Sequence, residues 1–478
     1  MKIPQLAKQT AIYGIPSIVG RLLNFLLVPL YTYIFLPQEY GIVTELYAYT
    51  ALLLVILTYG METTFFRFMQ KAQTDKVFST SVWSLLATSL IFLSAVLLFR
   101  NNIASFFDYP NAQQFVVWFA FILFADVMMA IPFCLLRQEN RAMRFAVLRT
   151  INIALNIGLN LFFILLLPAL LQDFKPDVKY IFLSNLVASG ITLLLLMPEL
   201  RRTKPVFDKR LWRDMMIYTL PVMVWGIAGI IDSTFDKVLF RSLIPDKANA
   251  MHQLGIYGAC AKLAVIMNLC VQAFRYAAEP YFFKKAQQKN AAETYARVMN
   301  YFVMACCIIF LGCSLFLDEL MLLVGKDYRE GADVVPVLLM ANLFLGIFYN
   351  LSIWYKVTDK TSIGAVIAVI GSALSIGLNV VLIPVFGYHG AAWAALACYF
   401  AITAISYFTG QKYYPVNYPL GRIFFYLLLA VSLYVVKVLV DLEGFWGVLV
   451  SVGLFVGYLA VICAVHGVLK KGIGRKRS

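Results

Sequence analysis

The sequence predicts an all-α membrane protein of about 14 transmembrane helices, built as two six-helix halves followed by two further helices. Three observations predict this class: the composition, the lengths of the apolar runs and the placement of the basic residues. Of the 478 residues, 62% are hydrophobic and only 14% are charged. Soluble domains contain about 25% charged residues, so this chain has too few to cover a water-exposed surface.

The apolar runs have the length of membrane-spanning helices. About 30 Å of hydrocarbon requires roughly 20 apolar residues per helix, and short polar loops separate runs of that order along the whole chain. The spans are predicted at residues 10–36, 40–66, 80–100, 112–136, 144–170, 179–200, 212–243, 253–283, 297–318, 332–356, 361–385, 387–411, 419–441 and 445–469. No stretch remains for a sizeable soluble catalytic domain, so we do not expect an enzyme.

The basic residues predict the orientation. The net charge is +15, and cytoplasmic loops of membrane proteins are enriched in Lys and Arg. With the N-terminus inside, 27 basic residues lie on the cytoplasmic side and 7 outside. This asymmetry predicts an even number of spans, both termini in the cytoplasm and a location in the cell inner membrane. It also explains the positive charge without a nucleic-acid partner.

Recurring segments predict that the first 12 spans form two equivalent halves. A five-residue motif ending in Asn recurs six spans later, and two basic residues recur at the same offset. Six is an even number, so the halves have the same orientation and form a parallel repeat. The matching pairs are Asn156–Asn160 with Ser375–Asn379, Arg137 with Lys356, and Arg141 with Lys360.

The repeat divides the chain into four predicted segments. Residues 1–200 form the N-terminal lobe and residues 201–213 a basic cytoplasmic linker. Residues 214–411 form the C-terminal lobe, and residues 412–478 form two extra helices with a basic tail.

An ionisable side chain in the lipid zone is expensive unless it faces water, protein or a partner charge. Arg21 lies in the middle of the first span and shares a helical face with Asn24. Both are therefore candidates for binding an anionic substrate. The alternative is that Arg21 pairs with Glu45 or Glu62 and only holds helices together.

The seventh span carries Asp232 and Asp236 on one face and Lys237 and Arg241 on the next. Such a helix cannot face lipid with either stripe. Two hypotheses remain open: a water-filled cavity with Lys237 bound to substrate, or a charge-compensated structural network.

The eighth span adds Lys262, a further candidate ligand because no acid lies within one turn of it. Arg275 and Glu279 are four residues apart in the same span and could neutralise each other, although Arg275 is also a candidate ligand. Asp126 and Arg149 are expected to form a structural pair between the fourth and fifth spans.

The remaining charged residues suggest coupling and structural roles. Glu45, Asp232 or Asp236 could bind H⁺ or Na⁺ and so couple transport to an ion gradient. Lys437 and Asp441 are four residues apart near the end of a span, where a structural pair is expected. The eight cysteines and three histidines form no metal-ligand pattern, and no nucleotide-binding or nucleophile motif is present. No cofactor or metal is expected.

Six short motifs are spread over nearly the whole chain: Tyr13-Gly-Ile-Pro16, Leu36-Pro-Gln-Glu-Tyr-Gly41, Asn156-Ile-Gly-Leu-Asn160, Asp236-Lys237, Gly255-Ile-Tyr257 and Gly387-Tyr-His-Gly-Ala-Ala392. Together they resemble polysaccharide-type flippases of the multidrug/oligosaccharidyl-lipid/polysaccharide exporter superfamily. The resemblance implies two lobes in a V with two extra helices. It also implies transfer of an undecaprenyl-diphosphate-linked oligosaccharide to the periplasmic leaflet by alternating access, for lipopolysaccharide or another surface polysaccharide. Membrane lipids, a polymerase and glycosyltransferases are the implied partners.

Three alternatives stay open. A lipid II flippase would carry the same diphosphate, and cationic cavity residues suit it equally. Cation-coupled drug exporters of the superfamily typically have an acid in the first span, whereas no Asp or Glu precedes Glu39 in this sequence. A membrane polymerase or ligase would need a larger outer loop than this chain has.

Overall fold

The structure is a computed structural model that describes residues 20, 25–70, 74–108, 111–286, 288, 290–358, 360–440, 442 and 444–475, with the backbone alone at 276, 277, 279, 280, 283, 284 and 466–475. By its internal contacts the chain divides into two compact units, Met1–Val238 and Leu239–Ser478. No strand occurs in the described ranges, so the predicted all-α class is confirmed.

The first unit consists of apolar helices joined by short turns. α1 begins at Phe25, and α11 continues past the end of the unit. The helices are α1 (Phe25–Ile34), α2 (Pro37–Thr58), α3 (Met61–Phe68), α4 (Thr74–Leu98), α5 (Arg100–Phe107), α6 (Ala112–Gln138), α7 (Ala142–Leu161), α8 (Leu167–Leu170), α9 (Lys179–Leu195), α10 (Met197–Leu200) and α11 (Lys209–Leu243).

Local sequence signals explain where α2 begins and ends. Pro37 occupies the first turn, where its missing N–H costs nothing. The Glu39 carboxylate accepts a 2.9 Å hydrogen bond from the backbone N–H of Leu36. Tyr59 and Gly60 then adopt positive φ values of 37° and 77°, which end α2 and let α3 start in a new direction.

The second unit has the same construction. Asp246 caps α12 by accepting the backbone N–H of Ala248 at 3.0 Å. The helices are α12 (Lys247–Leu263), α13 (Val265–Lys285), α14 (Ala291–Leu315), α15 (Leu317–Met321), a 3₁₀ helix (Lys326–Gly331), α16 (Val334–Leu351), α17 (Ile353–Val357), α18 (Thr361–Tyr413), α19 (Leu420–Val440) and α20 (Gly444–Arg475).

The helix lengths are compatible with the predicted 14 spans. Within the described residues, 10 helices are long and apolar enough to cross a membrane, or 11 if α12 and the start of α13, bent by 46°, form one broken span. α18 has 53 residues and would be about 80 Å long if straight, so it contains two predicted spans. They meet at Gly387, whose backbone is not helical (φ 57°, ψ −133°). α1 and α9 are shorter apolar helices at predicted spans one and six.

Each unit is organised around one central helix. In α6, 78% of the most apolar stretch is buried, compared with 28% in α4 and 11% in α7. In the second unit α16 has this role, with 72% buried. α6 and α16 are the fourth and tenth predicted spans, so they are equivalent in a six-plus-six repeat.

The recurring Asn motif adopts the same local structure in both units. Asn160 and Asn379 are 0% and 2% exposed. Each donates a hydrogen bond from Nδ2 to the backbone carbonyl four residues earlier, at 2.8 Å to Asn156 and 2.7 Å to Ser375. The sequence match therefore has a structural counterpart.

The residues around the predicted linker pack within the first unit. The linker carbonyl of Lys204 accepts a 2.9 Å hydrogen bond from the indole of Trp83 on α4. Early in α11, Trp212 donates to Ser84 at 2.9 Å, and the hydroxyls of Thr219 and Thr64 lie 2.6 Å apart. By contacts the first unit ends at Val238, beyond residues 201–213; the predicted lobe boundaries of the repeat stay a prediction.

Candidate functional site

Three charged side chains of the first unit are accessible although they belong to apolar helices. Glu62 on α3, Arg137 near the end of α6 and Arg149 on α7 are all exposed. The Glu62 carboxyl interacts electrostatically with Arg149 and with Arg137. We call Glu62, Arg137 and Arg149 the first-unit cluster.

Neighbouring side chains hold the first-unit cluster in place. The Arg149 guanidinium lies 4.2 Å from the ring centre of Phe133 on α6, and Arg137 lies 5.1 Å from that of Phe66. The thiol of Cys134 approaches Glu62 Oε2 at 3.9 Å. A guanidinium over a ring uses its flat face for that contact and not its in-plane N–H groups.

The depth of Arg149 indicates water in this region. Arg149 lies seven residues after the start of α7, which is about 10 Å along a helix axis. A charged, exposed side chain two turns inside an apolar helix requires a polar environment. The first-unit cluster therefore lines a recess rather than the lipid-facing surface.

The predicted Asp126–Arg149 pair is not a direct ion pair among the described side chains. Asp126 accepts a 3.0 Å hydrogen bond from Ser189 on α9, and Arg149 stacks on Phe133. The two charges still interact electrostatically. Glu45 is 0% exposed, so its side chain lies in the core of the first unit and not on an open surface.

The first span's candidates, Arg21 and Asn24, lie outside the described residues. Lys237 is neutralised within its own helix: its Nζ lies 3.1 Å from Asp236 Oδ1 and donates to the carbonyl of Ser233 at 3.2 Å. Asp232 is half-buried. These contacts are those of the charge-compensated network, while substrate binding by Lys237 stays a prediction.

In the second unit, Arg275 lies in a cleft between α13 and α16. Its guanidinium is 5.0 Å from the ring centre of Tyr349. The same cleft is lined by Lys356 and Asn350, and Asn350 is only 2% exposed. Two cations thus face one small space, as in the first-unit cluster. Lys262 is exposed on α12 and does not line this cleft.

Two predicted pairs within spans each have one partner outside the described side chains, so both stay predictions. The Glu279 side chain lies outside the described residues, so its pair with Arg275 stays a prediction. Asp441 also lies outside them. Lys437 is 3.6 Å from Asp318 at the start of α15 and donates to the Leu442 carbonyl at 3.2 Å, so it ties α19 to α15.

A buried carboxylate near the end of the first unit escaped the sequence analysis. Glu199 on α10 is 1% exposed and is bound by Arg144 at 2.9 Å and Arg141 at 3.3 Å. From the sequence, the two arginines are cytoplasmic loop charges, and Arg141 is also a member of the repeat. The signal that could have found this site is the acid itself, because Glu199 is the only acid in the sixth predicted span, residues 179–200.

These positions can bind a strongly anionic group. Guanidinium and ammonium donors form short, charge-assisted hydrogen bonds with phosphate oxygens. Their strength increases where little water competes. Such donors are provided by Arg137 and Arg149 in one unit and by Arg275 and Lys356 in the other. Each unit thus presents two accessible cations among apolar helices.

The fold and its charged clusters define a multi-pass membrane protein with the helical architecture of MOP-superfamily transporters and flippases. The chain belongs to the polysaccharide biosynthesis protein family, whose sequence profile matches residues 6–286, more than half of its length. Among curated proteins, none matches the sequence.

Solved structures share the fold, and the following three are among them. The lipid II flippase MurJ in an inward closed conformation aligns with a TM-score of 0.73 at 14% identity, over 94% of this chain and 98% of that one. An inward-facing multidrug resistance MATE transporter aligns with a TM-score of 0.61 at 12% identity, over 84% and 94%. A MOP superfamily transporter from Pyrococcus furiosus, reported with a binding pocket of reverse polarity, gives 0.56 at 13% identity, over 85% and 95%.

Proposed function

We propose that the protein is a flippase that moves an undecaprenyl-diphosphate-linked oligosaccharide from the cytoplasmic to the periplasmic leaflet, for surface polysaccharide biosynthesis. The observation that carries the proposal is the first-unit cluster, which presents Arg137 and Arg149 on accessible surface inside an apolar bundle. A lipid diphosphate is the ligand that needs both properties. Its tail stays in hydrocarbon while its phosphates require cations.

The family supports the same substrate class. The family description, polysaccharide biosynthesis protein, fits a chain that handles precursors of polysaccharides. The fold shared with MOP-superfamily proteins supports alternating access, in which a substrate site opens first to one side of the membrane and then to the other. We propose five further substrate ligands: Arg21, Asn24, Lys237, Lys262 and Arg275.

Lipid II flipping is the second candidate. The likeness to the lipid II flippase MurJ over 94% of the chain favours it. Both cargoes carry a polyprenyl diphosphate, so Arg137 and Arg149 suit either one. Cation-coupled drug export fits less well, because such exporters typically have an acid in the first span and no Asp or Glu precedes Glu39 in this sequence.

Location and coupling belong to the same proposal. We place the protein in the inner membrane with both termini in the cytoplasm, next to a polymerase and glycosyltransferases.

Coupling to H⁺ or Na⁺ through Glu45, Asp232 or Asp236 is tested in vesicles in which both gradients are collapsed. If transport is undiminished when both gradients are collapsed, ion coupling is rejected and the flippase assignment is unaffected.

A depletion strain tests the function. Loss of the protein should cause lipid-diphosphate oligosaccharide to accumulate in the cytoplasmic leaflet, while lipid II stays at its normal level. Accumulation of lipid II alone would select the second candidate. If neither lipid accumulates after complete depletion, the flippase assignment is wrong.

A further inference from the structure

A second type of site occurs at one end of the second unit. A cavity of about 560 Å³ lies where the start of α12, the 3₁₀ helix and the bend of α18 meet. Small-molecule sites typically enclose about 300–1,000 Å³, so this cavity has the size of a ligand site. The cavity lies wholly within the second unit and shares no residue with the cleft around Arg275.

The chemistry of its lining differs from that of the cationic clusters. Uncharged and weakly basic polar groups predominate, and none of its described lining residues is Lys or Arg. A phosphate would therefore find no cation here. The polar side chains that line it are those of Asn249, His252, Gln253, Glu330, Tyr388 and His389.

The carboxylates around the cavity already have partners. Glu330 lies 4.0 Å from Nδ1 of His252, and Asp333 lies 2.7 Å from Nε2 of His389. In the described part of the chain, no three such side chains converge as a metal site.

One polar atom in the wall has no protein partner. Gln253 Nε2 donates to Asn249 Oδ1 at 3.3 Å. Gln253 Oε1 is buried and has no hydrogen-bond partner among the described residues. This oxygen is closed to solvent and lies against Gly387, so a ligand in the cavity would meet the other polar atoms of the lining.

The bend in α18 leaves room for that amide. Gly387 has a φ of 57°, a conformation that favours glycine. A Cβ at this position would collide with the amide oxygen of Gln253. Directly after the bend, the rings of Tyr388 and His389 stack at 4.3 Å and form a flat part of the lining.

We infer that this cavity binds a neutral saccharide of one or two sugar rings. Sugar hydroxyls both donate and accept hydrogen bonds, and the amides, imidazoles and phenol of the lining complement them in both senses. Flat rings suit the apolar faces of sugar rings. The inference rests on the proposed function, and the predicted orientation puts the cavity at the periplasmic end, where it would receive the sugar part of the cargo after transfer.

The test uses purified full-length protein in detergent and oligosaccharide released by mild acid from the lipid-linked fraction of the host. Binding is measured by saturation-transfer NMR. Gln253→Leu and His252→Phe should each weaken oligosaccharide binding about fivefold or more. Gln113→Leu is the matched control, because Gln113 also donates to an Asn (Asn101, at 2.9 Å) but is exposed and does not line the cavity.

Inorganic pyrophosphate separates this inference from the proposed function. Its binding should be unaffected by Gln253→Leu. Oligosaccharide affinity that is the same in wild type, Gln253→Leu and His252→Phe would overturn the saccharide site, as would absence of oligosaccharide binding to the wild type. Neither result bears on the flippase function, which the depletion experiment tests. If no lipid accumulates on depletion but the sugar still binds as expected, the flippase function is rejected and the saccharide site is not.

Discussion

The hydroxyl of Tyr31 on α1 donates a 2.9 Å hydrogen bond to Oδ1 of Asn160 on α7, 129 residues further along the chain. Asn160 is fully buried, and its Nδ2 donates to the carbonyl of Asn156 at 2.8 Å. The carbonyl oxygen and the NH₂ group of the Asn160 side chain therefore each have a hydrogen-bond partner. The motif that repeats along the sequence thus serves in the first unit to tie two helices together.

Removal of the Tyr31 hydroxyl should destabilise the first unit. Tyr31→Phe leaves the buried Oδ1 of Asn160 without a donor, which costs about 1–3 kcal/mol. Thermal unfolding in detergent should show a lower Tm. Tyr281→Phe is the control, because Tyr281 is 43% exposed. Equal Tm values for the two variants would show that the Tyr31–Asn160 bond contributes nothing.

Arg149 should matter for transport more than for folding. Arg149→Ala removes an accessible donor of the first-unit cluster, and loss of one charge-assisted hydrogen bond to a diphosphate would lower transport about tenfold or more. The measurement is the amount of lipid-linked oligosaccharide retained in the cytoplasmic leaflet at matched expression. Arg297→Ala, which removes an exposed arginine paired only with Glu293 four residues earlier, is the control. Normal transport by Arg149→Ala would remove this arginine from the substrate site.

Glu199 should be a stability residue. Glu199→Ala leaves Arg141 and Arg144 without their buried acceptor, and hydrogen bonds to charged groups are worth about 1.5–3 kcal/mol each. We expect a clear fall in Tm. Glu293→Ala breaks an exposed ion pair, which should cost only about 0.3–0.5 kcal/mol. A similar loss in both variants would argue against a buried clamp at Glu199.

The ion pair between Glu139 and Arg202 predicts a pH dependence. Their closest side-chain atoms are 2.7 Å apart, and the hydrogen bond from Arg202 is the main reason that the pKa of Glu139 is lowered. The pair therefore stabilises the folded state above the unfolded pKa of about 4.3. That contribution is lost as the pH falls through the lower, folded-state pKa.

Arg202→Gln should accordingly reduce Tm near neutral pH, and the difference from wild type should shrink below about pH 4. Arg201→Gln is the adjacent control, since Arg201 is exposed. The measurement is Tm as a function of pH. A difference that stays constant down to acidic pH would mean that Arg202 acts independently of the Glu139 charge.

The sequence predicted the helices better than the contacts of the charged residues. The apolar runs and their basic flanks depend only on local composition, and all of the predicted spans within the described residues overlap apolar helices. The pairing of Lys437 with Asp441 stays a prediction from a local pattern, and the structure adds a contact of Lys437 with Asp318, 119 positions away. Spacing along one helix cannot reveal a partner on another helix.

The amino-acid sequence by itself determined the membrane class, the approximate spans and the presence of charges at membrane depth, because hydrophobicity and length suffice for these. The recurrence of the Asn160 motif at Asn379 was visible there too. The tertiary structure decided which charges are accessible and which are neutralised. Arg149 is exposed beside Glu62, while Lys237 is held by Asp236. The position of Arg149 beside Glu62 depends on packing between distant helices, and the contact of Lys237 with Asp236 depends on side-chain conformation within one helix. Composition and periodicity specify neither.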